Sequence, residues 1–100
     1  MIFPMEITNL AKDIIDICQE KKLKISIAES CTGGLISGAI TEIPGASNVF
    51  SHGFVTYSNE AKIAVLKVNK KKLNSYGGVS KEVVEEMAKG ALIASGSDIS

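Results

Sequence analysis

The sequence is 100 residues long, 45% of them hydrophobic, with 11 basic and 11 acidic side chains and a formal net charge of zero. That length bounds it to one domain or part of one, and the apolar fraction permits a core. The charge balance argues against a nucleic-acid surface built on basic excess. Every basic residue is lysine. A bound anion must therefore be met by lysine or by backbone N–H groups, not by the planar fork of an arginine.

In chain order, residues 6–21 carry apolar side chains at helical spacing, Ile7, Leu10, Ala11, Ile14, Ile17 and Cys18, with Asp13, Asp16, Gln19 and Glu20 facing water. Lys21 and Lys22 suit the C-terminal end of that helix. Lys24 to Ala28 alternates like a strand, Ile25 and Ile27 against Ser26 and Ala28. Residues 32–41 then predict a helix capped by Thr32 or Ser30, broken at Pro44-Gly45. Val49 to Tyr57 predicts a second strand, and Asn59 to Val68 a helix. Lys70-Lys71-Lys72 is a solvated charge run, and Tyr76-Gly77-Gly78 a turn. Ser80 caps a strong amphipathic helix with Val83, Val84, Met87, Ala88, Ala91 and Leu92 on its apolar side; Gly96 ends it, and Asp98-Ile99-Ser100 opens a further strand. Strands alternating with helices predict an α/β fold with a mostly parallel sheet.

No stretch approaches the roughly 20 apolar residues of a membrane span. Met1 to Met5 contains Pro4 and precedes Glu6, unlike a secretory leader. Cys18 and Cys31 lack metal-type spacing, Cys18 falling on an apolar helix face. The cysteines suggest no disulfide scaffold, so a reducing, cytoplasmic setting is expected, without membrane or metal.

The segment Ala28-Glu29-Ser30-Cys31-Thr32-Gly33-Gly34 links the first strand to the following helix. It places two hydroxyls and a thiol together, followed by two glycines where backbone can approach a ligand. With parallel strands, the polar stretch after the second one, Tyr57 to Lys62, emerges at the same edge of the sheet, where ligands of such folds bind. Ser30 is then a candidate nucleophile and Lys62 its base. A lysine serves as base only when uncharged, which requires its ordinary value near 10.4 to fall by about three units through burial or a neighbouring cation. Tyr57 is placed to relay a proton or to hydrogen-bond Lys62. The N–H groups near Thr32, Gly33 and Gly34 are candidates to hold an oxyanion or a phosphate. The bland readings stand beside these: Ser30 and Thr32 as helix caps, Lys62 as a surface lysine, Gly33-Gly34 as an ordinary turn. A triad through His52, the sole histidine, lacks an obvious carboxylate to orient the ring. Cys31 as nucleophile lacks an imidazole to activate it. Glu29 either orients a ligand or caps a neighbour, and close to Lys62 it would oppose the mechanism.

These residues closely resemble a known family. The first long motif, then Gly45-Ala46-Ser47, then Gly53-Phe54-Val55-Thr56-Tyr57-Ser58-Asn59-Glu60-Ala61-Lys62, then Gly77-Gly78-Val79-Ser80, are similar to the CinA-type C-terminal domain, a family that includes nicotinamide mononucleotide deamidases. The resemblance runs from residue 6 onward, so residues 1–100 read as the N-terminal part of one such domain. It implies a three-layer α/β/α fold, incomplete in this chain. It implies an amidohydrolase that converts nicotinamide mononucleotide to nicotinate mononucleotide and ammonia through a Ser30/Lys62 dyad, with no metal or other cofactor. Tyr57 and Thr32 match active-site positions of the family less securely.

Two features depart from the pattern. Family members continue with a Gly-rich segment, further strands and a later arginine, none of which is in this sequence, and Gly78 stands where the family pattern leads one to expect alanine. The sequence therefore also admits a non-catalytic remnant, or an interaction module that offers an unfinished sheet edge to a second copy or a complementing chain.

Overall fold

The computed structural model describes residues 2–100. Two strands, β1 (Ile25–Glu29) and β2 (Phe50–Val55), pair in parallel. A parallel pair needs a crossover. Here it runs through α2 (Leu35–Thr41) and a short 3₁₀ turn at Ala46–Asn48. Helix α1 (Met5–Lys21) precedes β1, while α3 (Asn59–Leu66), α4 (Lys70–Tyr76) and α5 (Lys81–Ser95) follow β2.

The amide of Ile25 donates to Val49 while that of Ser26 donates to Ile99. Successive amides of a strand point to opposite edges. Ile99 therefore pairs with β1 on the side away from β2, also in parallel, as the strand expected at residues 98–100 requires.

Helices cover both faces of the sheet. Ile25 and Ile27 point to a core built with α1 and α2, from Ala11, Ile15, Cys18, Ile40, Ile43, Ala46 and Val49. Ala28 points the other way, into a core of Leu66, Val68, Leu73, Val83, Met87 and Ala91 on α3 to α5. Phe50 joins the first core and Phe54 the second, although a regular strand keeps positions four apart on one face. The register explains it. Ile25 faces Phe50 but Ser26 faces His52, so Ser51 is an extra residue and flips the strand, as a bulge does. His52 is exposed, stacked on Phe54 and hydrogen-bonded to Ser51, its neighbour in the chain.

Helix starts follow their caps. The side chains of Ser58, Asn69 and Ser80 accept from the amides of Ala61, Lys72 and Val83 at the heads of α3, α4 and α5. Gly90 lets α5 lie directly on α3: a methyl group there would sit 2.0 Å from the carbonyl oxygen of Leu66.

Two expectations need correction, and one element goes beyond them. The lysine run is exposed, as expected, and it also forms the first turn of α4, because Asn69 caps it. In α1 the buried stripe is Ala11, Ile15 and Cys18, whereas Ile7, Leu10, Ile14 and Ile17 are exposed. Helix α2 begins at Leu35, three residues late, because Gly33 and Gly34 take left-handed backbone angles, φ +59° and +103°.

Candidate active site at the carboxyl edge of the sheet

Ser30 directly follows β1, and Tyr57 lies two residues beyond β2, at the same edge of the sheet. The amide of Thr56 donates to the carbonyl of Glu29, extending the pairing to the rim. Helix α3 begins immediately afterwards, and Lys62 in its first turns is turned inward. It is 2% exposed and heads the largest fully buried side chains. Its Nζ donates to the Tyr57 carbonyl at 2.8 Å and to Ser30 Oγ at 3.0 Å. Ser30 Oγ lies 3.4 Å from the same carbonyl. Three groups from two strand ends and one helix thus meet at one point. The sole ion pair among the described residues, Lys72 with Glu86, lies elsewhere. Lys62 is therefore a buried amine without a carboxylate in ion-pair contact. It is not a surface lysine.

Glu29 does not approach Lys62 as a counter-ion. It is 2% exposed and turned to the other side of the bend. One carboxylate oxygen accepts from Thr32 Oγ1 at 2.6 Å and from the amides of Gly34 and Ile36 at 3.2 and 3.0 Å. The second accepts from the amide and hydroxyl of Ser37 at 2.9 and 2.7 Å. Glu29, not Thr32 or Ser30, is thus what satisfies the head of α2. Burial by itself would push this carboxyl up. The bonds from Thr32, from the amide and hydroxyl of Ser37 and from the amide of Ile36 outweigh burial and hold it at about 2, down from 4.5.

This changes the expected roles of the glycines. The amide of Gly34 is taken by Glu29 and that of Gly33 by the Ser30 carbonyl, at 3.1 Å. Neither is free for a ligand. The amides of the bend without a partner among the described residues are those of Ser30 itself, Cys31 and Thr32. Thr32 is bonded to Glu29 through its hydroxyl; Tyr57 is 73% exposed, and its hydrogen bond with Lys62 is made through its backbone carbonyl.

A cleft of about 420 Å³ opens beside Ser30, between the bend and the head of α5. Ser30, Cys31 and Thr32 line one wall, and Val79, Val84 and Met87 the apolar other. Its size suits a small molecule. No group of three or more His, Cys, Asp or Glu residues that would hold a metal occurs among the described residues.

The model of the CinA C-terminal domain family matches residues 7–100. The chain belongs to this family. CinA-like proteins of Chloroherpeton thalassium and Chlorobaculum tepidum are 51% and 45% identical to it over 90 and 92 residues. Those matches take in 90% and 92% of this chain but 21% and 22% of the relatives. The chain thus spans about a fifth of the length of these curated proteins. Among solved structures, the competence/damage inducible protein CihA of Agrobacterium tumefaciens superposes with a TM-score of 0.93 at 46% identity, over 99% of this chain and 59% of that one. A CinA superfamily protein of Escherichia coli gives 0.91 at 31% identity, over 98% and 58%. The three-layer α/β fold of this CinA chain is shared with both.

The part of the site that sequence reasoning left unresolved is Glu29. Its signal was present: an acidic residue at a strand end, directly before a hydroxyl-rich bend and a helix with no acidic residue in its first turn.

Proposed function

We propose that this CinA chain carries the nucleophile and base of an amidohydrolase, and that its substrate is the carboxamide of nicotinamide mononucleotide. The observation that carries the reading is the 3.0 Å contact between Ser30 Oγ and the Nζ of a lysine that is 2% exposed. A surface lysine has no reason to be there. A buried amine against a serine hydroxyl is what nucleophile activation without histidine requires. The substrate follows from the family resemblance, and the apolar wall of the cleft suits a flat aromatic amide.

In the first step, uncharged Lys62 accepts the Ser30 proton as Oγ attacks the carboxamide carbon. A C–O bond forms and the oxygen of the amide becomes an oxyanion. The unpartnered amides of Ser30, Cys31 and Thr32, beside the attacking atom, are the donors available to it. Lys62 then passes the proton to the departing nitrogen, the C–N bond breaks, and ammonia leaves. In the second step Lys62 takes a proton from water, hydroxide attacks the acyl ester, and the proton returns to Ser30 Oγ as the carboxylic acid is released. Tyr57 serves through its carbonyl, which holds Nζ in place.

The test is ammonia release from nicotinamide mononucleotide by the protein and by the Ser30→Ala and Lys62→Met variants. Loss in both variants, by roughly 10³-fold or more as in other nucleophile and base deletions, supports the dyad. Undiminished release in both would refute it.

A further inference from the structure

We propose that Glu29 is the positioning residue of this site: its carboxylate sets the bend that presents Ser30 to Lys62. The inference rests on the amidohydrolase reading above. Glu29 and Ser30 are adjacent in the chain but opposite in duty. The backbone of Glu29 is fixed by the sheet, its carbonyl accepting from the Thr56 amide at 3.0 Å. Its side chain collects five donors from residues three to eight positions further on. Ser30 to Gly33 is thus a loop held at its start by the backbone of Glu29 and at its far end by the side chain of the same residue. The left-handed angles of Gly33 and Gly34 let the chain double back to make that tie.

Two consequences concern chemistry more than stability. The carboxylate fills the head of α2 with a negative charge of the protein's own, so a substrate anion is excluded from the Gly34 to Ser37 amides. By taking up Gly34, Ile36 and Ser37, it also leaves the amides of Ser30, Cys31 and Thr32 as the unpartnered ones of the bend, at the nucleophile. The role demands a carboxylate. All five partners are donors. A glutamine would turn two N–H groups of its own toward donors at one end, and an aspartate is one methylene short of the helix.

The test uses a fluorophosphonate probe, which reads the reactivity of Ser30 without any amide substrate. Oγ attacks phosphorus, fluoride leaves, and the Ser30 proton passes to Lys62. Phosphonylation is followed by intact mass well below the unfolding temperature of each variant, with Ser30→Ala as the blank. Glu29→Gln should slow labelling by about 10- to 100-fold, the cost of a misplacement on the order of 1 Å. The pH midpoint of the labelling rate should stay at the wild-type value, because the base is untouched. A structural role alone would lower the melting temperature and leave the labelling rate of the folded protein unchanged. Should Glu29→Gln fail to fold, the exposed Thr32 supplies a milder pair. Thr32→Val, which removes one of the five donors, should slow labelling about 3- to 10-fold, and Thr32→Ser, which restores that hydroxyl donor, should recover most of the loss. Wild-type labelling rates in both Glu29→Gln and Thr32→Val would overturn the positioning role while leaving the dyad intact. Wild-type protein that labels no faster than Ser30→Ala would remove the dyad, and the positioning role with it.

Discussion

Protonating Glu29 should unfasten the bend, and the loss has a calculable size. The carboxyl stands at about 2 in the folded chain against an ordinary value of 4.5. At about 1.4 kcal/mol per unit, that depression is worth about 3 kcal/mol of folding free energy. Because the folded value is the lower one, the stabilisation is complete above about 4.5 and drains away as the pH falls through about 2. Other acidic groups titrate over the same range, so the informative quantity is a difference. Urea unfolding of wild type and of Glu29→Gln should be followed by circular dichroism at intervals from pH 7 to pH 2.5. The gap between them should be about 3 kcal/mol at neutral pH and should narrow steadily below about pH 4.5, to roughly 1 kcal/mol or less near pH 2.5. A gap that stays constant with pH would show that the glutamate contributes shape and not charge. The network described around Glu29 would then be wrong.

Further expectations follow from single contacts. Gly90→Ala replaces a poor helix former with the best one, a change worth about 1 kcal/mol in favour on an isolated helix. The added methyl would lie 2.0 Å from Leu66 oxygen, so a net destabilisation of about 3 kcal/mol is expected in urea unfolding; any gain in stability would mean that α5 does not lie on α3 as described. Lys62→Met should remove activity yet leave unfolding free energy within about 1 kcal/mol of wild type, since an apolar chain of similar volume suits a buried site. A loss of roughly 3 kcal/mol or more would recast Lys62 as a structural clamp. Cys31 is exposed in the cleft wall whereas Cys18 is buried. A thiol reagent should therefore modify one cysteine in the native protein and two after denaturation, and nicotinamide mononucleotide should slow the native reaction. Equal native reactivity of both thiols would contradict the core around α1.

Apart from α4, the order of elements was legible in the sequence, as was the meeting of Ser30 with Lys62, because short apolar runs, caps and a shared sheet edge are local or topological signals. The head of α2 was not. The usual cap is a serine or threonine one position outside the helix, but that position is Gly34, which has no side chain to offer. What decides the matter is that a longer side chain from the strand end reaches the same amides with full charge and takes the Thr32 hydroxyl as well. The buried face of α1 was ambiguous for a different reason. Apolar residues occupy two adjacent stripes, and periodicity cannot choose between them. The choice falls to the sheet, whose Ile25 and Ile27 meet Ala11, Ile15 and Cys18. The flip between Phe50 and Phe54 depends on one extra residue in a strand pairing, which no single-strand pattern records. In sequence the glycines of the bend offer backbone to a ligand; in the fold their amides are taken by the Glu29 carboxylate and the Ser30 carbonyl.

The most direct measurement is to look for the acyl group itself. The protein is mixed with nicotinamide mononucleotide, quenched in acid within milliseconds, digested, and the peptide spanning Ser30 is weighed. A mass increase equal to the substrate less ammonia, confined to that peptide and missing from Lys62→Met, is the result this account predicts. Steady ammonia release with no adduct on Ser30, or an adduct that forms equally well without the Lys62 amine, would contradict it.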